Sequence, residues 1–245
     1  MDRNVVAIIE ARMSSSRLPG KHLLTAAGKP MLEHLVERLK QVALIHKIVI
    51  ATPSNEADNV LVQLADRLGV GHFQGSEENV MERVIEAGRK YDADVICEVT
   101  GDCPIIDPDL VQQLIGTFIV NPVVYACNGR HGLPDGMGSQ VFYQSTLEQS
   151  YLMTKDPLDL EHVTLHIRNN RKLFPALYLA ASPSCYWPEL GLTLDEEDDY
   201  KLLKKVIDFF EETASTFRCA DVIKLLKNNP EWVSVNAHVL RKGDA

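Results

Sequence analysis

The segment Arg12-Met13-Ser14-Ser15-Ser16-Arg17-Leu18-Pro19-Gly20-Lys21 gathers three cations, three serines and a glycine in a chain whose formal net charge is -9. Small residues let backbone N–H groups approach phosphate oxygens, and Arg17 and Lys21 bring charge to the same place. Such a concentration reads as a pocket for a polyanion, most simply a triphosphate. It is not the Walker pattern, because Gly20-Lys21 is followed by His22 rather than by Ser or Thr. A solvated surface loop would carry the same residue types, so the reading needs partners elsewhere in the chain. Two carboxylates supply them. Asp102 lies in Thr100-Gly101-Asp102-Cys103-Pro104, and Asp195 ends the apolar run Leu192-Thr193-Leu194. A turn aspartate bonding its own backbone also accounts for Asp102. An acidic first helical turn accounts for Glu196 to Asp198, but less well for Asp195, which precedes it. Two carboxylates that meet a triphosphate require a divalent cation between them. Mg²⁺ suits, since it keeps oxygen ligands and often uses one or two carboxylates plus phosphates.

These residues need elements to hold them. The run Val5 to Ile9 reads as a buried strand ending at the cationic loop. Leu32, Leu35, Val36 and Leu39 recur at helical spacing from Pro30, and Ile48 to Ala51 is a second strand. A helix through Leu61, Leu64, Ala65 and Leu68 ends at Gly69. Val70 to Phe73 is a short third strand, Val80 to Tyr91 a third helix, and Asp94 to Val99 a fourth strand. A further helix starts at Asp107-Pro108, an N-cap and first turn. This alternation, with nearly continuous apolar strands, predicts a parallel sheet covered on both faces. Ligands of such sheets bind beyond the carboxyl ends of the strands, the edge on which loops 11–22 and 100–107 both fall.

From Asn128 the rhythm changes. Gly129, Gly132, Pro134, Gly136 and Gly138 make a flexible crossing, followed by strand-like runs at 139–143 and 173–180 around a helical stretch at 157–169. Leu192 to Asp195 reads as another strand, Glu196 to Glu211 as a helix, and the last ten residues as frayed. The expected organisation is one domain over 1–245, with 128–190 as an inserted lobe. The acidic balance argues against coating nucleic acid, and no apolar run is long enough to span a membrane. The N-terminus shows no cleavable signal character. Five cysteines without a CxxC pair fit reduced thiols in a cytoplasm.

Other candidates have plainer readings. His162 and His166 stand four apart on the expected helix, but Glu161 precedes rather than separates them, so the HExxH arrangement is missing. Cys103 has no identifiable base and reads as a small packed residue. Tyr186 and Trp187 could form a sugar platform, although packing is the commoner use. The acids after Asp195 read as a solvated helix start.

The chain resembles the cytidylyltransferase family that makes CMP-activated acidic sugars, including the CMP-Kdo and CMP-sialic acid synthetases, and within it the spore coat polysaccharide biosynthesis protein F branch. The resemblance rests on Ala11-Arg12-Met13 with Ser16-Arg17-Leu18-Pro19-Gly20-Lys21, on Gly28-Lys29-Pro30-Met31-Leu32, and on Thr100-Gly101-Asp102-Cys103-Pro104. Ala51-Thr52, Gly75-Ser76-Glu77 with Val80 and Arg83, Asp135-Gly136, Glu161-His162-Val163-Thr164 and Leu194-Asp195 to Asp199 extend it over about residues 4–212. It implies an α/β, three-layer, Rossmann-like nucleotidyltransferase fold with a mixed, mostly parallel sheet and a small lobe that builds a homodimer. It also implies that Ala11, Arg12, Ser16, Arg17 and Lys21 hold the nucleotide, and that Asp102 and Asp195 bind Mg²⁺. Thr52, Ser76, Arg83, Thr100 and Gly101 would line the nucleoside pocket, with Asp135, Gln140, Glu161 and His162 on the sugar side. Many relatives of this branch read Asp-Gly-x-Asp-Val-Glu where this chain has Asp135-Gly136-Met137-Gly138-Ser139-Gln140. A neutral amide thus replaces a carboxylate, which leaves the sugar side of the site and the choice of acceptor open.

The reaction implied is attack on the α-phosphorus of CTP by an oxygen of an acidic sugar, with loss of pyrophosphate. Arg17, Lys21, Asp102 and Asp195 would carry the catalysis. Transfer to a sugar 1-phosphate or small phosphonate suits the same loop, and so does a catalytically silent nucleotide-binding homologue.

Overall fold

The computed structural model describes residues 3–129, 131–213 and 216–240. Its strands are β1 (Val5–Glu10), β2 (Thr25–Ala26), β3 (Lys29–Pro30), β4 (Lys47–Pro53), β5 (Gly71–Gly75), β6 (Val95–Thr100), β7 (Tyr125–Cys127), β8 (Gln140–Tyr143) and β9 (Ala176–Tyr178). Seven form one sheet in the order β5-β4-β1-β6-β8-β7-β9, and β2 pairs with β3 as a separate small hairpin. The first four strands of that order run parallel. β8 joins β6 and β7 antiparallel, while β9 pairs with β7 in parallel. The sheet is therefore mixed rather than wholly parallel. The reversal at β8 follows from the glycine-rich crossing, which brings the chain back along β6 without a helical crossover.

The helices are α1 (Met31–Leu39), α2 (Asn59–Leu68), α3 (Val80–Lys90), α4 (Pro108–Val120), α5 (Gln144–Met153), α6 (Pro157–Glu161), α7 (Leu165–Asn169), α8 (Glu197–Thr213), α9 (Cys219–Asn228) and α10 (Pro230–Val233). Because successive strand residues point to opposite faces, β1 divides its side chains between two cores. Val5, Ala7 and Ile9 pack with α1, α2 and α4. Val6 and Ile8 pack with α3, α5 and α7. This gives the three layers. A third cluster joins α8 and α9 to Met31, Ile105, Leu192 and Leu194, and it anchors the segment that carries Asp195.

Four expectations need correction. Leu192 to Asp195 is not a strand: the nearest pairing is a single bridge between Asp135 and Gly191. The 157–169 stretch is two short helices, interrupted where Val163 takes φ 42°, so His162 and His166 do not share a helix face. The tail is partly packed, with Asn236 and Val239 buried but Leu240 exposed, while 241–245 lie outside the described residues. Finally, β2, β3, β7, α5, α9 and α10 form where the sequence reading places no element. No helix among the described residues is long and apolar enough to cross a membrane.

Candidate functional site

Three loops meet beyond the carboxyl ends of β1 and β6. The first leaves β1 and is closed by two bonds: Gly20 N–H to the Met13 carbonyl at 3.0 Å, and Met13 N–H to Asp58 Oδ1 at 2.6 Å. Gly20 takes φ 70°, a left-handed conformation that glycine adopts without a Cβ penalty. The chain then enters a 3₁₀ turn over Lys21–Leu23. The second loop follows β6. Gly101 N–H donates to the Glu10 carbonyl at 2.8 Å, and a Cβ there would lie 2.8 Å from that oxygen and 2.9 Å from the His22 ring. Only glycine lets the loop lie this close. His22 Nδ1 meets the Gly101 carbonyl at 3.1 Å, so that nitrogen carries the ring proton. The third loop is tied to the second, since Leu194 N–H donates to the Asp102 carbonyl at 2.8 Å. Buried Asp199 fixes its far side. Asp199 Oδ2 accepts from the N–H groups of Asp195 (3.1 Å) and Glu196 (2.9 Å), and Oδ1 accepts from Asn236 at 2.8 Å.

These ties bring both carboxylates onto one ammonium. Lys21 Nζ lies 3.0 Å from Asp102 Oδ2 and 3.2 Å from Asp195 Oδ1, and Arg17 Nη2 lies 2.8 Å from the same Asp195 oxygen. Lys21 is only 7 % exposed. Burial works against its charge, but Asp102 and Asp195 outweigh that and hold its pKa above the ordinary value. Burial likewise opposes ionisation of Asp102, yet the Lys21 ammonium and a hydrogen bond from Thr100 keep its pKa below the usual range. Burial and the adjacent Lys21 charge push His22 down to about 4, so the ring is neutral.

The walls enclose a cavity of about 710 Å³. Of the residues expected at the nucleotide, Ala11, Arg12, Ser16, Arg17, Lys21, Arg83, Thr100, Gly101, Asp102 and Asp195 all line it, and so do Glu161 and His162. Thr52 and Ser76 do not. Thr52 is fully buried within β4, and Ser76 Oγ accepts the Asn79 N–H at 3.0 Å. Asp135 and Gln140 line a second cavity of about 210 Å³, which shares Thr100 with the first. Gln140 Oε1 accepts hydrogen bonds from Tyr125 (2.5 Å) and Thr164 (2.6 Å). Cys103 is buried, and burial with the neighbouring Asp102 charge raises its thiol pKa well above normal. It is therefore packing rather than a nucleophile.

Sequence reasoning missed Asp58, His22, Asp199, Glu10 and Glu98. The signal for Asp199 is present in the sequence, as an acid in the first helical turn can reach back to the N–H groups that precede it, but by residue type it reads as one of the solvated acids.

No three His, Cys, Asp or Glu side chains among the described residues form a group able to hold a metal. The available donor set is Asp102 with Asp195, two carboxylates converging where a cation already sits. That set fits Mg²⁺, which completes its shell with phosphate and water, and does not fit a cation needing an all-protein cage.

Comparison with known proteins agrees with this geometry. The family model described as cytidylyltransferase matches residues 6–217. The chain is 31 % identical to spore coat polysaccharide biosynthesis protein SpsF of Bacillus subtilis, over 93 % of this chain and 96 % of that one. It is 38 % identical to the 3-deoxy-manno-octulosonate cytidylyltransferase of Trichlorobacter lovleyi over 48 % of this chain and 46 % of that protein. Among solved structures it resembles a cytidylyltransferase from Leptospira borgpetersenii, with a TM-score of 0.89, 29 % identity and coverage of 94 % and 97 %. With its mixed α/β sheet and its three converging loops, the chain belongs to the cytidylyltransferase family and is a nucleotidyltransferase.

Proposed function

We propose that the protein transfers CMP from CTP to an oxygen of an acidic sugar, in the making of a surface polysaccharide or glycan. The observation that carries this is Lys21 held between Asp102 and Asp195 at 3.0 and 3.2 Å on the wall of a nucleotide-sized cavity. The triphosphate lies along the Arg12–Lys21 loop. An acceptor hydroxyl oxygen attacks the α-phosphorus and releases its proton to solvent, a new P–O bond forms, the bond to the β-phosphate oxygen breaks, and pyrophosphate leaves. Lys21 and Arg17 stabilise the charge that develops on it. Such a transfer needs positioning and charge neutralisation more than covalent chemistry. Asp102 and Asp195 would hold Mg²⁺, which supplies Lewis-acid polarisation of phosphate oxygens. The acceptor enters the second cavity and meets the nucleotide at Thr100.

The SpsF and 3-deoxy-manno-octulosonate cytidylyltransferase relatives support an acidic sugar as acceptor. The neutral Gln140 keeps a second reading in view, a sugar 1-phosphate or small phosphonate. A pyrophosphate-release screen of four nucleoside triphosphates against acidic sugars and sugar phosphates tests both. Release only with CTP and an acidic sugar supports the proposal. Release only with a sugar phosphate moves the assignment, and CTP binding without any turnover favours a silent homologue.

A further inference from the structure

The floor shared by the two cavities is made by β1, β6 and β8, and its α3-facing residues at the site edge are polar. Glu98 is paired in register with Ile8 on one side and Gln140 on the other, and Glu10 is the next residue of β1 on that face. Glu10 lines the first cavity, while Glu98, 4 % exposed, lines the second. Glu10 Oε1 and Glu98 Oε2 are buried and receive no hydrogen bond among the described residues, and the register of β1 on β6 sets the two carboxyls diagonally across from each other on one face. Two desolvated carboxyls that face each other across neighbouring strands with no donor on these oxygens disfavour double ionisation, so the pair retains a proton. Burial raises the pKa of both acids, and Arg83 opposes this on the Glu10 side.

We propose that the Glu10–Glu98 pair, with Gln140 beside it, is the specificity-determining element of the acceptor site. It reads an uncharged hydroxyl at the passage between the cavities and turns away a carboxylate or phosphate there. The proposal rests on the reading that the second cavity receives the acceptor. A pair sharing one proton offers both a donor and acceptors, which matches a hydroxyl, itself donor and acceptor. A carboxylate or phosphate brings only acceptors, and its charge would face the pair's own charge in a site of low dielectric. Gln140 Oε1 already accepts from Tyr125 and Thr164, so its amide N–H groups are what it has left to offer. The acceptor's negative charge therefore binds away from this ledge, and a hydroxylated carbon rests on it.

The test uses whichever acid supports pyrophosphate release from CTP, starting with 3-deoxy-manno-octulosonate, and analogues lacking one hydroxyl each. In the unaltered enzyme one deoxy analogue is expected to lose about 100-fold or more in kcat/KM. In Glu98→Ala the parent acid falls to a similar degree, the penalty for that analogue disappears, and KM for CTP stays put. Should Glu98→Ala fail to fold, the double variant Glu10→Gln with Glu98→Gln keeps volume and removes the charge. It is expected to accept an analogue phosphorylated at that hydroxyl, which the unaltered enzyme refuses. Tolerance of every deoxy analogue by the unaltered enzyme, or penalties that persist unchanged in the variants, overturns this assignment and leaves the cytidylyl transfer standing. CTP binding with no acid turned over overturns the acceptor reading itself, and the ledge with it.

Discussion

Lys21→Ala takes the ammonium out from between Asp102 and Asp195, which it holds at 3.0 and 3.2 Å. Removing one partner of a fully buried ion pair costs about 3–5 kcal/mol, because the charge left behind has lost its compensation. Here the remaining carboxylate side chains are 22 % and 16 % exposed, and Arg17 stays 2.8 Å from Asp195. Solvent and Arg17 together reduce the expected loss to about 2 kcal/mol. The variant also frees both carboxylates for a divalent cation. Ions that bind only the folded state stabilise it by mass action, so Mg²⁺ should restore more stability to Lys21→Ala than it adds to the unaltered protein. Urea unfolding with and without Mg²⁺ measures both effects. In turnover the same variant should lose roughly 2–4 kcal/mol of transition-state stabilisation, about 30- to 1,000-fold in kcat. Unchanged turnover would remove Lys21 from the chemistry, and an equal Mg²⁺ response in the two proteins would refute a shared cation seat.

Asp199→Asn leaves one acceptor oxygen where two served three donors, which should cost about 1–3 kcal/mol. Because Asp199 holds the Asp195 backbone, kcat should fall as well, and full activity at reduced stability would show that it has no positioning role. His22 predicts a pH effect. Its pKa is lowered from 6.5 to about 4 by burial and the Lys21 charge, so between those values the unfolded chain binds more protons than the folded one. Stability therefore drops as pH falls through that window, by roughly 3 kcal/mol at its lower end. His22→Gln should flatten that dependence in urea unfolding at pH 7 and pH 4.5, and identical slopes in the two proteins would exclude His22. Gly101→Ala would set a Cβ 2.8 Å from the Glu10 carbonyl, an overpacking worth about 1–3 kcal/mol. A thermal melt unchanged by that substitution would contradict the close approach of the two loops.

Much of the frame was legible in the residues. The strands from Val5, Ile48 and Val95 and the helices from Met31, Asn59, Val80 and Pro108 each carry the period that their burial demands. Placement of Lys21 and Asp102 on one sheet edge followed from strand direction alone. What escaped was local and three-dimensional. The helix α5 buries polar Thr146 and Ser150 beside Leu147, so its apolar stripe is faint. The strand β7 spans only Tyr125–Cys127, which is too short for an alternating pattern. Leu192 to Leu194 look like a strand because they are buried, but their partners are α8 and α9 rather than a sheet. Nothing in the spacing of Glu10 and Glu98 says that they meet, since that requires knowing that β1 and β6 are neighbours. Asp102 and Asp195 pair in the sequence as two carboxylates at the ends of apolar runs, a pairing the family resemblance repeats, and the physical reason for their meeting is the Leu194 N–H bond to the Asp102 carbonyl.

A crystal grown with CTP and Mg²⁺ offers the most direct trial of the whole scheme. The triphosphate should lie along the 12–21 loop against Arg17 and Lys21, with a metal ion ligated by both Asp102 and Asp195 and by phosphate oxygens. A nucleotide bound away from Lys21, or carboxylates that stay on the lysine while the ion binds elsewhere, would contradict it.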